Sequence, residues 1–231
     1  MKDLNERDVH RALAVVAAAA AGGNGTAFGI ETVDAIMAAI PADEAAYVEW
    51  CFGDRDSIRV ARGGNEPPWL DEALAATCGS YPLRDVDHAA SVEPLRISDV
   101  VSLTRFRKSR FYLSVMRPLG REHELKLWLP APPGHARYFE LERGPGRDFD
   151  GRDRAFLSLL RPHLARLRAQ WECRPHVPPL TDRGTRRARP GCTGPDEPPD
   201  QQPALHFAGG CPNAPRAHLR QARRTDPRRR G

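Results

Sequence analysis
The 231-residue sequence has a formal net charge of +5, yet its charge is unevenly placed. Residues 184–231 hold ten arginines and four acids, with eight prolines, six glycines and only Leu205, Phe207 and Leu219 as large apolar groups, so the preceding 183 residues are close to neutral. Such a tail lacks the apolar surface needed to offset the entropy of ordering it, whereas 183 residues suffice for one ordinary domain. The sequence therefore predicts a globular domain over 1–174, a linker over 175–183 and a disordered basic extension over 184–231. The richest apolar run, Ala12 to Ala21, is mostly alanine and falls short of the ~18 apolar residues of a membrane helix, which points to a soluble, cytoplasmic protein without membrane contact. Five cysteines with irregular spacing and no Cys-x-x-Cys pair argue against a disulfide framework or a zinc ribbon.

Leu4 to Ala21 reads as an amphipathic helix with Val9, Leu13, Val16, Ala17 and Ala20 on its apolar face, ended by Gly22-Gly23-Asn24-Gly25. A second helix, Ile30 to Ile40, presents Ile30, Val33, Ile36, Met37 and Ile40 and stops at Pro41. The period then changes to two: Ala46, Val48, Trp50 and Phe52, a turn at Gly53 to Asp56, then Ile58 and Val60 make a β-hairpin. A short helix follows around Trp69 to Thr77. Ile97 opens a helical stretch capped by Ser98 or Asp99, with Phe106, Phe111, Val115 and Met116 as its apolar side up to Pro118. Two strands come next, His123 to Leu129 with Leu125, Leu127 and Leu129 on one face, and Ala136 to Arg143 with Phe139 and Leu141. Asp150 and Asp153 then suit the start of a helix in which Phe156, Leu160, Leu164, Leu167 and Trp171 recur at helical spacing to about Cys173, opposite Arg152, Arg154, Arg161, Arg166 and Arg168. The order ααββααββα fits an α+β fold, an antiparallel GAF- or PAS-like sheet with terminal helices packed on one face.

Asp148-Phe149-Asp150-Gly151-Arg152-Asp153-Arg154, Leu160-Arg161-Pro162-His163-Leu164 and, after a short linker, Leu180-Thr181-Asp182-Arg183 resemble the junction in LuxR-type transcription regulators, where a GAF-like input domain ends in "LRPHL" and a linker leads to "LTxRE", the start of a helix-turn-helix domain. Ile97-Ser98-Asp99 and the Phe111-Tyr112 helix are also similar to that input domain. The resemblance covers roughly residues 28–183, rests on Arg161, Pro162, His163, Leu180, Thr181 and Arg183 as its linker motif, and stops after Arg183. Codon degeneracy supplies a reason. Read one base later, Gly184 before Thr185 permits Glu, Arg189 to Pro195 permits Ala-Leu-Val-Ala-Arg-Gly-Leu, Asp196 to Asp200 permits Thr-Asn-Arg-Gln-Ile, and Cys211 to Arg224 permits Val-Arg-Thr-His-Leu-Glu-His-Ile-Tyr-Ala-Lys-Leu-Gly-Val. These match the family pattern at its spacing, as if a frameshift by one additional G preceded the Gly184 codon. The resemblance implies a regulator that binds promoter DNA as a homodimer in its intact form, while this chain offers only non-specific nucleic-acid contact through its tail arginines. A stand-alone small-molecule-binding or protein-interaction module is the alternative.

Candidate site residues are few. Tyr47, Trp50, Trp69, Tyr81 and Trp128 are aromatic enough to line a ligand pocket, with Trp128 and Tyr47 opposite their strands' leucine and valine faces; core packing explains them as well. In its helix, His163 is expected to pack beside Leu160 and Leu164 or to cap a carbonyl freed by Pro162. Asp85, Asp87 and His88 read as a loop, and Cys192, His206, Cys211 and His218 lack the paired spacing of a metal site. With no nucleophile elbow, Walker loop or His-Glu-x-x-His pattern, the sequence gives no sign of an enzyme, a catalytic residue or a cofactor.

Overall fold
The computed structural model describes residues 4–22, 25–51, 56–63, 67–84, 86 and 92–173. Helices α1 (Glu6–Ala21) and α2 (Ile30–Ala39) precede strands β1 (Glu44–Cys51) and β2 (Asp56–Arg62); α3 (Leu70–Thr77) runs into a 3₁₀ turn, Cys78–Ser80. A two-residue strand β3 (Leu95–Arg96) leads to α4 (Ile97–Val100), α5 (Leu103–Phe106) and a π-helical turn, Tyr112–Met116, before β4 (His123–Leu129), β5 (His135–Arg143) and the long α6 (Gly151–Glu172). The five strands form one antiparallel sheet in the order β2-β1-β5-β4-β3. This is the expected α+β arrangement, enlarged by β3, whose two residues are too short to show a period. The proposed tail over 184–231, its cysteines and histidines, Asp85, Asp87, His88, Leu180, Thr181 and Arg183 lie outside the described residues. Among the described residues, no helix is long and apolar enough to cross a membrane.

Because side chains alternate along a strand, the sheet has two chemically different faces. On the first, Ala45 and Tyr47 of β1, Leu125, Leu127 and Leu129 of β4 and Phe139 and Leu141 of β5 are buried under α1, α2 and α6, which contribute Val15, Val33, Ile36, Phe156, Leu160 and Leu164. Tyr47 packs edge-on against Phe28, with ring centroids 4.8 Å apart, and 4.9 Å from Phe139. A large-to-small change at Leu127 would remove about 2–5 kcal/mol, as for other fully buried leucines.

The capping of α6 is the one read from sequence. Asp150 accepts from the Asp153 amide at 3.0 Å and Asp153 accepts from the Asp150 amide at 3.2 Å, a reciprocal box that satisfies two otherwise orphaned donors. Helix α1 corrects the expectation. Its buried residues are Asp8, Ala12, Val15 and Ala19, while Val9 and Leu13 are 49% and 61% exposed. An alanine-rich helix has two stripes of similar hydrophobicity, and Asp8 decides between them: it completes a capping box with Asn5 and is ion-paired to Arg152 of α6, so its side turns inward. The stretch from Ile97 to Pro118 is likewise three short pieces rather than one helix. Val101 is extended (φ −141°, ψ 139°), and the Ser102 hydroxyl, 3.4 Å from the Arg105 amide, restarts the chain as α5. The cap on α4 also differs, since Asp99 accepts from the Arg96 amide at 2.9 Å and the Ser98 hydroxyl donates to Asp148 at 2.5 Å.

Candidate functional site
The second face of the sheet carries Glu44, Ala46, Val48 and Trp50 of β1, Arg59 of β2, Glu124, Lys126 and Trp128 of β4, and Tyr138, Glu140 and Glu142 of β5. A second apolar cluster covers the end nearer β3: Leu83, Ile97, Phe106, Phe111, Tyr112, Val115 and Met116 close over Trp128, with Tyr81, Leu95 and Tyr138 at its border. Charged side chains are thereby held in the interior, where each needs partners.

Lys126 is the centre of this layer. Its three ammonium donors have three acceptors: Tyr81 Oη at 2.7 Å, Glu124 Oε1 at 2.9 Å and Glu140 Oε2 at 3.2 Å. The ammonium also lies 4.2 Å from the Tyr138 ring centroid, 4.9 Å from that of Tyr81 and 6.0 Å from that of Trp128, so three aromatic rings surround one buried cation. Tyr81 donates to Glu124 at 2.5 Å, and Trp50 donates through Nε1 to the Tyr138 hydroxyl at 3.1 Å. Burial disfavours the charge on Lys126, but Glu124, Tyr81 and Glu140 outweigh it and hold the ammonium charged well above the usual lysine range. Burial and Glu124 raise the Tyr81 hydroxyl far above an ordinary phenol, and burial pushes Tyr138 up to about 12. Next along the face, Glu44 pairs with Arg59 and, at 3.0 Å, with Arg121, which lies 3.4 Å from Glu142. Four carboxylates thus share three cations, and Glu142 takes the strain: burial first, then Glu140, Glu124 and Glu44, raise its carboxyl well above the usual range.

At the start of β4 the layer meets a cavity of about 190 Å³, lined by Ile97, Ser98, Val101, Leu103, Glu122, His123, Glu124, Gly146 and Asp148. Glu122 is held by Arg107 through two bonds of 2.6 and 2.8 Å and accepts from the Tyr112 hydroxyl at 3.2 Å. The sequence singled out none of Glu122, His123, Glu124 or Lys126. The sequence marks the leucine face of His123 to Leu129, and in the structure all seven residues of the strand are buried.

The aromatic set expected from sequence is divided. Tyr81 and Trp128 meet around Lys126, and Trp50 joins the same layer through Tyr138. Tyr47 lies across the sheet in the first core, as its alternation with Val48 predicts, and Trp69 is 39% exposed at the start of α3. On α6, His163 is exposed beside the exposed Pro162, contrary to the expectation that it packs or caps; at that register Leu160 and Leu164 alone face the core. Four of the five arginines named on α6 are engaged, and Arg166 is exposed. Arg161 donates to the Trp128 carbonyl at 3.0 Å, Arg154 to the Pro94 carbonyl at 3.2 Å, and Arg152 pairs with Asp8. Arg168 is buried, bound to both oxygens of Glu49 at 3.2 and 2.6 Å and 4.9 Å above the Trp171 ring. Burial opposes the Arg168 charge, but the Glu49 bond holds it above the ordinary arginine value.

This fold is shared with the VqsR LBD domain from Pseudomonas aeruginosa, at 16% identity and a TM-score of 0.50, over 71% of this chain and 96% of that one. Matches also include the GAF domain of a phosphoenolpyruvate-protein phosphotransferase from Acinetobacter (11% identity, TM-score 0.47, 73% and 97% of the two chains). Another is CepR2 from Burkholderia cenocepacia, described as an N-acylhomoserine lactone dependent LuxR-family transcription factor (13% identity, TM-score 0.43, 71% and 95%). At 16% identity the likeness to the VqsR domain is one of fold. No protein-family model matches the sequence, and no curated protein sequence matches it significantly.

Proposed function
We propose that this chain is the input domain of a LuxR-type transcription regulator whose DNA-binding segment is read out of frame after Arg183. The observation that supports it best is the attachment of α6 to the sheet. Arg161 binds the backbone of Trp128 in the polar layer, Arg168 binds Glu49 of β1, and the same helix carries Arg161-Pro162-His163 toward Leu180, Thr181 and Arg183. A rearrangement around Lys126 and Trp128 would therefore be felt by the helix that leads to the linker. A two-state element of this kind transmits a signal only if a ligand binds its two arrangements differently.

In this reading the intact protein is a cytoplasmic homodimer on promoter DNA, with a recognition helix in the major groove and no catalytic step or cofactor. Gel-shift assays on promoter fragments of neighbouring genes test it, comparing the present chain with one encoded after removal of one base ahead of the Gly184 codon. The repaired chain should discriminate between sequences. The present chain should show only sequence-blind binding that added salt of ~0.2 M largely abolishes. Sequence discrimination by the present chain would overturn the out-of-frame reading of the tail, and none by a folded repaired chain would instead favour a stand-alone module.

A further inference from the structure
The segment from Val100 to Arg121 carries six cations, Arg105, Arg107, Lys108, Arg110, Arg117 and Arg121, and not one acid. Its apolar residues decide where those charges go. Phe106, Phe111, Tyr112, Val115 and Met116 are buried in the second cluster, so the residues between them turn outward. Two of the six cations are engaged: Arg107 holds Glu122 through bonds of 2.6 and 2.8 Å, and Arg121 lies 3.0 Å from Glu44 and 3.4 Å from Glu142. Arg105, Lys108, Arg110 and Arg117 are exposed, and among the described residues none of them forms an ion pair. The neighbouring α3 brings two exposed acids, Asp71 and Glu72, and these pair with none of the four.

A surface charged only for solubility intersperses both signs. Four unpaired cations within thirteen residues, held on a folded segment, are instead the footprint of a polyanion. The remaining chemistry selects among polyanions. In the fully described stretch from Ser102 to Arg121 the one exposed large hydrophobic residue is Leu113, at 46%. A bilayer surface takes up a continuous face of Trp, Phe or Leu, and the centre of a protein interface is depleted of lysine and built on apolar anchors. Phe106, Phe111 and Tyr112 are buried, so unpaired bases would find no ring to stack on. What the surface offers is guanidinium and ammonium donors on long, solvated side chains, which is what the phosphates of duplex DNA require.

We propose that the face formed by Arg105, Lys108, Arg110 and Arg117 is a contact surface for the phosphate backbone of double-stranded DNA. Such contacts position a protein on the duplex without reading its bases. The proposal goes beyond the function given above, which places DNA contact after Arg183, and it does not depend on that reading. The two fail separately, because the gel-shift comparison asks whether a repaired chain discriminates between sequences, whereas the question here is where on the present chain sequence-blind binding resides.

The test is fluorescence anisotropy of a labelled duplex of about 20 mixed-sequence base pairs, titrated with the full chain between about 50 and 200 mM KCl. The tail arginines stay in every variant, so any difference belongs to the folded domain. Each phosphate contact contributes about 0.9 to the slope of log K against log salt. Arg105→Gln/Lys108→Gln/Arg110→Gln/Arg117→Gln should therefore flatten the slope by about 2–4 and weaken binding at the lower salt about tenfold or more. Lys108→Gln/Arg110→Gln should weaken binding about threefold more than Arg7→Gln/Arg166→Gln, which removes the same charge from exposed sites on α1 and α6. That pair decides the matter if the fourfold variant loses its native circular dichroism. An unchanged slope, or equal effects of the two double variants, places the binding in the tail and in net charge and overturns the proposal. Tighter binding to phosphatidylserine vesicles, or equal competition by polyglutamate at matched charge, assigns the face to a membrane or to an acidic protein and overturns it too.

Discussion
Replacing Lys126 by methionine keeps most of the side chain's apolar volume and removes only the ammonium, which makes it a direct probe of the polar layer. Among the described residues Glu124 would keep one donor, Tyr81, and Glu140 would keep Arg59 at 3.7 Å, with both carboxylates still covered. Removing one partner of a buried ion pair costs about 3–5 kcal/mol, most of it the penalty of the charge left behind. For a protein of this size, each kcal/mol lowers the melting temperature by about 2–4 °C, so Lys126→Met should melt about 6–20 °C lower. Urea titration followed by far-ultraviolet circular dichroism measures the change. Adding Glu124→Gln should recover at least half of the loss, because the residual charge is then neutral and still hydrogen-bonded by Tyr81. A loss below about 1 kcal/mol in Lys126→Met, or no recovery in the double variant, would refute the reasoning that the ammonium is buried and paired.

Glu142 titrates in the opposite sense to an ordinary salt-bridged carboxylate: its folded-state value is raised, so its stabilising effect is complete below the unfolded value near 4.5 and is lost as pH rises toward the folded value. Glu142→Gln should thus gain stability relative to the parent chain as pH rises above the unfolded value near 4.5, measured as the difference in urea midpoints; a constant difference would contradict this. Arg168→Met should cost about 1–3 kcal/mol, as Glu49 keeps Arg137 at 3.2 Å, and should speed amide exchange in the last turns of α6 more than in β4. The exposed Val9 and Leu13 on α1 are expected to mediate weak self-association. In light scattering, Val9→Glu/Leu13→Glu should be strictly monomeric with stability within about 0.5 kcal/mol of the parent, and unchanged association would exclude this face.

Where burial and period agree, the sequence is a sufficient guide. The α6 cap at Asp150 and Asp153, the ends of β4 and the leucine face of Leu125, Leu127 and Leu129 are all legible, because each depends on local spacing. The layer around Lys126 is not. Alternating Glu124, Lys126 and Trp128 carry the signature of a half-exposed strand, and only the distant segment from Leu83 to Met116 converts that side into an interior. A signal was present nonetheless: Lys126 stands opposite Glu140 in the β4–β5 register, and an aromatic residue shares each strand's charged side, Trp128 on β4 and Tyr138 on β5. Val9 and Leu13 mislead for the complementary reason, since hydrophobicity along α1 cannot anticipate that Asp8 and Arg152 pair across two helices.

The nucleotide sequence of the gene across the codons for Arg183 to Arg224 tests the central claim most directly. The account predicts that, read one base later, these codons continue Leu180-Thr181-Asp182-Arg183 with glutamate and then, in register and without a stop, with Ala-Leu-Val-Ala-Arg-Gly-Leu, Thr-Asn-Arg-Gln-Ile and Val-Arg-Thr-His-Leu-Glu-His-Ile-Tyr-Ala-Lys-Leu-Gly-Val. A stop codon in that frame, or third bases that spell residues unrelated to a helix-turn-helix, would contradict it.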